Sequence, residues 1–434
     1  MLGDLELKNT KLLDNLLCLS IFTLFLPYAP YVVFFTLYIL VGFFYLIRSY
    51  REKTIPVLPK GTKLLLIGVS IFCLYGLFMV VMNFNMELYK YYIKLPLNLL
   101  FLITVVLCIN TYKVDLKKVI NTILLCMALS VIQVFTAATI TGSWDLLVTG
   151  IKSSQDAYNI TYTYIWFGNE AKNIWATKMV LVFFPAYLMM LHFKLVRKST
   201  INLFLIGLIF CIIMTFSRTA ILAMAAGLFF LILHWLFSKG NIKTVFSNIT
   251  RKFHHLNRNK KAFVIIFSII ILAVGLSTFS KVFHFDLNSS TDGANARLIT
   301  YNALLNNLDE VSLFGEGLFS ATWFLPQYST FDTDMYIHNV FLNSYLDLGI
   351  VGIISYALII IGLALMTFRN LPTFLAVALT ALYFVIVNLQ YVGYDNDLVM
   401  YLVLTCIFIN LYPNYYGNGV GKVITKKPIN KLFV

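Results

Sequence analysis

Three side chains in a chain dominated by apolar residues could carry chemistry. Arg218 stands in "MTFSRTAILAMAAG", between two apolar runs. Arg297 opens "ARLITYNALLNNLDE", and His338 stands in "YIHNVFLNSYLDLGIVG" with Asn339 beside it. An arginine near membrane depth is costly and marks function by default, against the plainer reading that it snorkels to lipid phosphates. Alone, Arg297 would be an ordinary surface arginine. Paired with Arg218 on one side of a membrane, two guanidiniums can clamp a diphosphate through bidentate, charge-assisted hydrogen bonds. An imidazole changes charge near neutral pH and can therefore carry a proton, although an isolated interfacial histidine more often only holds a hydrogen bond. Counted along a helix from His338, the residues Leu342, Tyr345 and Gly349 share one face. Gly349 and Gly352 then predict close approach of a neighbouring helix.

Weaker candidates surround these three. Lys172 and Asn173, in "GNEAKNIWATK", either face the same cleft or anchor a helix end. Glu316 sits between Gly315 and Gly317 in "FGEGLF", a two-glycine turn that marks little beyond a tight bend. Asp332 and Asp334 in "FDTDMY" resemble a metal-binding DxD only superficially, because a dedicated site wants more oxygen ligands. No metal and no cofactor is expected. The six cysteines all lie in apolar runs without a CxxC or Cys/His cluster, which argues against a zinc site or a disulfide framework.

The elements that must position these groups are membrane helices. Of 434 residues, 60% are hydrophobic and 12% charged, with a mean hydropathy of +0.82. Soluble domains carry a charged fraction of about a quarter, and a bilayer needs roughly 20 apolar residues per helix. The expected fold is an all-α polytopic membrane protein with spans near 12–28, 30–47, 63–82, 96–111, 119–140, 174–194, 201–216, 219–238, 262–280, 345–368, 372–390 and 397–412. With the N-terminus in the cytoplasm, 25 of the 33 Lys and Arg residues fall on the inner side, 7 on the outer side, and Lys178 within a span. That is the positive-inside asymmetry, so the net charge of +14 reports topology and not nucleic-acid binding.

Two outer segments, 141–173 and 281–344, exceed ordinary turns. The second contains Leu298, Tyr301, Leu304, Leu305 and Leu308 at helical spacing after Asn295 as a cap, which predicts an amphipathic helix on the outer face. The chain divides into an N-terminal part (1–173), a central part holding the candidate residues (174–368) and a C-terminal part (369–434). The first apolar run has no small-residue cleavage site, so no removed signal peptide is expected.

The order "FSRTA", then "ARLITYNALLNN…FGEGLF", then "HNVFLNSYLDLGIVG" resembles the shared region of the bacterial O-antigen ligase and O-antigen polymerase superfamily, over roughly residues 165–355. The resemblance implies a metal-independent membrane glycosyltransferase of the GT-C-type helical class in the bacterial inner membrane, with both termini cytoplasmic. It implies transfer of a glycan from undecaprenyl diphosphate to an acceptor hydroxyl on the periplasmic face. Carried over residue by residue, Arg218 and Arg297 would hold the diphosphate and His338 would activate the acceptor. Lys172, Asn173, Asn339 and Glu316 join them as expected substrate contacts. Lipid-linked donor and acceptor, membrane lipids and a polysaccharide chain-length regulator are the implied partners, with no nucleic acid.

Elementary chemistry agrees with this class. A glycosyl diphosphate already carries a good leaving group, which cations stabilise without a nucleophile on the protein. The outer face lacks a supply of nucleotide sugars, so a lipid-linked donor supplies the energy. Two sizeable outer segments favour a polymerase, which must recognise two glycans. The first segment lacks the arginine of the polymerase pattern, which keeps a ligase as the alternative. A lipid-linked glycan transporter is the alternative of another class. It calls for charged groups and interrupted helices at the midplane, whereas nearly all of these spans read as continuous and only Lys178 sits clearly inside one.

Overall fold

This computed structural model describes residues 11–26, 31–54, 56–142, 144–146, 172–238, 293–329, 336–390 and 392–416. Among the described residues every regular element is a helix, the form in which an apolar segment satisfies its own backbone in lipid. The chain builds α1 (Lys11–Thr23), α2 (Tyr31–Arg51), α3 (Lys60–Met82), α4 (Lys94–Thr111), α5 (Leu116–Thr141) and α6 (Lys172–Phe193). Then come α7 (Lys198–Met214) and α8 (Arg218–Ser238), joined by a three-residue turn, followed by α9 (Gly293–Asn306) and the short α10 (Ala321–Tyr328). The long α11 (Val340–Asn370), α12 (Thr373–Leu389) and α13 (Asn396–Tyr416) complete it.

Helices stand at eleven of the twelve expected spans. Seven of them are long and apolar enough to cross a membrane, namely α2 to α6, α11 and α13, while α7, α8 and α12 are apolar but shorter. The protein is therefore a multi-pass membrane protein. The span expected at 262–280, the segment 239–261, and Lys152, Lys281, Asp332 and Asp334 lie outside the described residues.

The core centres on α6, which is apolar on all sides. In its most apolar window 83% of residues are buried, against 22% for the peripheral α2. A buried ion pair crosses from it to α13, with Lys178 Nζ 3.8 Å from Asp397 Oδ1. Lys178 also donates to Leu24 O at 3.2 Å. Since lipid supplies no hydrophobic drive between helices, close backbone approach has to supply packing. The α3–α11 crossing shows this: a Cβ on Gly362 would stand 2.5 Å from Leu65 N, and one on Gly68 2.6 Å from Ser355 O.

Three expectations are corrected here. His338 is not on the helix: Asn339 is the N-cap of α11, its Oδ1 accepting from Phe341 N at 3.0 Å and Leu342 N at 3.1 Å. The helical face drawn from His338 to Gly349 therefore does not exist. Nor does Gly349 seat a neighbouring helix. It adopts φ +60°, ψ −150° and breaks α11, so the continuity expected of this span fails at one point. Into the break fits the loop 312–320: Ile350 N donates to Leu313 O, Glu316 N to Leu346 O and Gly317 N to Asp347 O, each at 2.9 Å. A Cβ on Gly352 would meet Ser344 O at 2.4 Å, an atom of the segment before the break.

The third correction concerns α9. The helix begins at Gly293 and ends before Leu308, so Asn295 lies within the first turn. Its inward side is Ala296, Thr300, Ala303 and Leu304, while Leu298 and Leu305 are 48% and 50% exposed. Only the cap is corrected: the apolar stripe points mainly away from the protein, as expected of a helix on a membrane face. Its outward direction suits contact with lipid.

Candidate active site

Arg218 owes its position to the turn that precedes it. Phe216 takes the left-handed conformation at φ +52°, its N–H bonded to Ile213 O at 3.0 Å. Ser217 then caps α8, its Oγ accepting from Ala220 N at 3.5 Å. Serine before an apolar run is a favoured N-cap, and "FSRTA" thereby fixes Arg218 as the first residue of α8, partly exposed. The positive end of the helix dipole adds to the guanidinium charge at this point. Lys172, 7% exposed at the start of α6, lies within electrostatic range of Arg218. Two cations held together repel unless an anion joins them. Asn173 follows, partly buried, its main-chain O accepting from Thr177 Oγ1 at 2.8 Å.

Arg297 and His338 meet at the end of α12. Arg297 Nη2 donates to Gln390 Oε1 at 3.2 Å, and His338 Nδ1 lies 3.3 Å from Gln390 O. A carbonyl oxygen only accepts, so Nδ1 carries the proton and the neutral ring keeps its lone pair on Nε2. Tyr336 packs edge-on against the imidazole, with ring centroids 5.1 Å apart. Asn339 Nδ2 donates to Asn388 O and Asn388 Oδ1, both at 3.2 Å.

Tyr301 ties α9 to the same point, its hydroxyl placed to donate to His338 O at 2.8 Å and Asn388 O at 3.1 Å. Burial raises its phenol above the ordinary value, against smaller opposite pulls from Arg297 and Asn339. The hydroxyl therefore stays protonated and remains a donor.

These two groups share one end of the bundle. Lys172 and Arg218 put the starts of α6 and α8 together, and the Lys178–Asp397 pair brings the start of α13 to the same end. The chain reaches α13 directly from the end of α12, along which α8 packs. Arg218, Lys172, Arg297 and His338 thus occupy one end of adjoining helices.

Glu316 is engaged elsewhere. Its Oε1 accepts from Ser312 N at 2.6 Å, and its main-chain O accepts from Asn83 Nδ2 at 3.1 Å. These contacts brace the loop that fills the α11 break, on the α3 side. Among the described residues no three His, Cys, Asp or Glu side chains gather as a metal site.

Asn388, Gln390 and the Tyr301 hydroxyl were missed by sequence reasoning. Polar amides closing an apolar helix in "IVNLQY" were the available signal. Tyr301 was counted only as an apolar face residue.

Residues 203–357 match the family model described as O-antigen ligase. No curated protein matches the chain significantly. The matched stretch contains Arg218, Arg297, Glu316, His338, Asn339 and Gly349 in the order read from the sequence, whereas Lys172, Asn173, Asn388 and Gln390 lie outside it. The chain is thus a multi-pass bundle of membrane helices whose residues 203–357 are similar to the O-antigen ligase family.

Proposed function

We propose that this protein is a glycosyltransferase that moves a glycan from undecaprenyl diphosphate to an acceptor hydroxyl at the periplasmic face of the bacterial inner membrane. The observation that carries the reading is the convergence of Arg297 and His338 on Gln390, at the same end of the bundle as Arg218. Arg218 and Arg297 hold the diphosphate. As the bond from the anomeric carbon to the phosphate oxygen breaks, they stabilise the charge on the leaving lipid diphosphate. The acceptor oxygen forms the new bond to the anomeric carbon, and its proton passes to His338 Nε2. The charge asymmetry supports the outer placement and two cytoplasmic termini.

The acceptor we assign is a second lipid-linked repeat unit, which makes the protein an O-antigen or capsule polymerase. The matched family, O-antigen ligase, favours a second reading, transfer to lipid A-core. Purified protein given lipid-linked repeat units alone should elongate them. Product formed only when lipid A-core is added assigns the ligase instead.

The clamp has its own test. Arg218→Lys should lose activity although it keeps the charge, because an ammonium cannot reproduce the planar fork. A lost charged hydrogen bond is worth about 1.5–3 kcal/mol, roughly ten- to a hundredfold in rate. Transfer measured at matched protein levels checks it, and full activity in both Arg218→Ala and Arg297→Ala would refute the clamp.

A further inference from the structure

We infer that Gln390, outside the matched domain, is a positioning residue that sets the diphosphate-binding Arg297 and the proton-accepting His338 relative to one another. This rests on the functional reading above and adds to it how the two halves of the chemistry are registered.

One residue holds both groups by different atoms. Its side-chain Oε1 takes a hydrogen bond from Arg297 Nη2, and its main-chain O takes one from His338 Nδ1. The residue itself is fixed: 3% exposed, with its N–H bonded to Ile386 O at 3.0 Å as the C-cap of α12. Two positions earlier, Asn388 receives Tyr301 from α9 and Asn339 from the start of α11. Residues 388–390 are thus the common seat for the two segments that bring Arg297 and His338, and the seat closes the apolar helix α12. Sites held on such elements keep reacting groups near productive geometry.

The amide also suits an anion site. A guanidinium has five N–H donors, and a neutral acceptor fixes its orientation through one of them while leaving its charge undiminished. A carboxylate at the same position would pair with Arg297 in the charge-assisted manner of the diphosphate itself. The donor would then have to displace an internal anion.

That contrast gives the test. Gln390→Ala, Gln390→Glu, Arg297→Ala and the double variant Arg297→Ala/Gln390→Glu are purified and assayed with a lipid-diphosphate-linked repeat unit, with kcat and donor KM measured separately. Gln390→Ala should raise donor KM about tenfold, the size of one lost hydrogen bond to a charged group. Gln390→Glu, nearly the same shape as the native residue, should raise it further. In the Arg297→Ala background the glutamate should have no additional effect, because it acts through that arginine.

If Arg297→Ala raises donor KM but Gln390→Glu is no worse than Gln390→Ala, the inference falls and the functional reading stands. A glutamate effect that persists without Arg297 makes the residue merely structural, which also overturns it. If Arg297→Ala leaves donor KM unchanged, the assignment of Arg297 to the donor fails, and this inference with it.

Discussion

His338→Ala should lower turnover by about 10²- to 10⁴-fold, the usual contribution of a positioned general base, with donor KM largely preserved. The acceptor hydroxyl must shed a proton as it attacks, and an imidazole titrating near roughly 6.5 suits that task. The structure specifies which nitrogen does so. With Nδ1 donating to Gln390 O, the neutral ring offers Nε2. Turnover of the native protein should therefore fall as pH drops and the ring is protonated, and this acid limb should vanish in the variant. Collapse of donor binding together with turnover would make His338 a diphosphate ligand. No change in either would leave it a hydrogen-bonded residue ahead of a helix.

The residues of this site differ in how far the sequence reveals them. Arg218 and Arg297 are legible because cations are scarce on the outer side of so apolar a chain, so each that remains calls for a reason. His338 is legible for its place at the end of a long outer segment. Gln390 is not, because an amide at the end of an apolar span has no motif, and its partners come from segments 52 and 93 residues away in sequence.

Glycines divide the same way. Gly349 stands out in the sequence, but periodicity counts a helix through it and attributes it to helix packing. A positive φ leaves no trace in periodicity. The close helix contacts fall instead at Gly61, Gly68 and Gly362. The Leu298 and Leu305 stripe points outward, as an amphipathic helix at a membrane face requires, and only the Asn295 cap of that reading fails.

Gly349→Ala should cost most of the folded, active protein although it touches no reacting group. The glycine holds φ +60°, ψ −150°, a region nearly closed to other residues and worth about 1–3 kcal/mol of strain. A Cβ there would stand 2.1 Å from Leu313 O and 2.5 Å from Gly315 N, both main-chain atoms that no rotamer change can move aside. Relief requires expelling the 312–320 loop, which forfeits its three main-chain hydrogen bonds to the break at about 0.5–1.5 kcal/mol each. The combined loss of about 2.5–7.5 kcal/mol is a large fraction of a typical stability of about 5–15 kcal/mol.

It would also reach the site. Asp347 Oδ1 accepts from Ser320 Oγ at 2.7 Å, Asp347 Oδ2 from Asn343 Nδ2 at 2.8 Å, and Asn343 Oδ1 from Ile337 N at 2.9 Å. The break is thereby connected, side chain by side chain, to the residue before His338. Gly207→Ala is the control: its Cβ would meet only Val131 Cγ2 at 3.2 Å and the flexible Met127, and alanine favours a helix over glycine by about 1 kcal/mol. Thermal unfolding and transfer by the two variants, in one detergent, make the comparison. A Gly349→Ala protein that melts and works like the Gly207→Ala protein would mean that the loop does not hold the break, and that His338 takes its position from α12 alone.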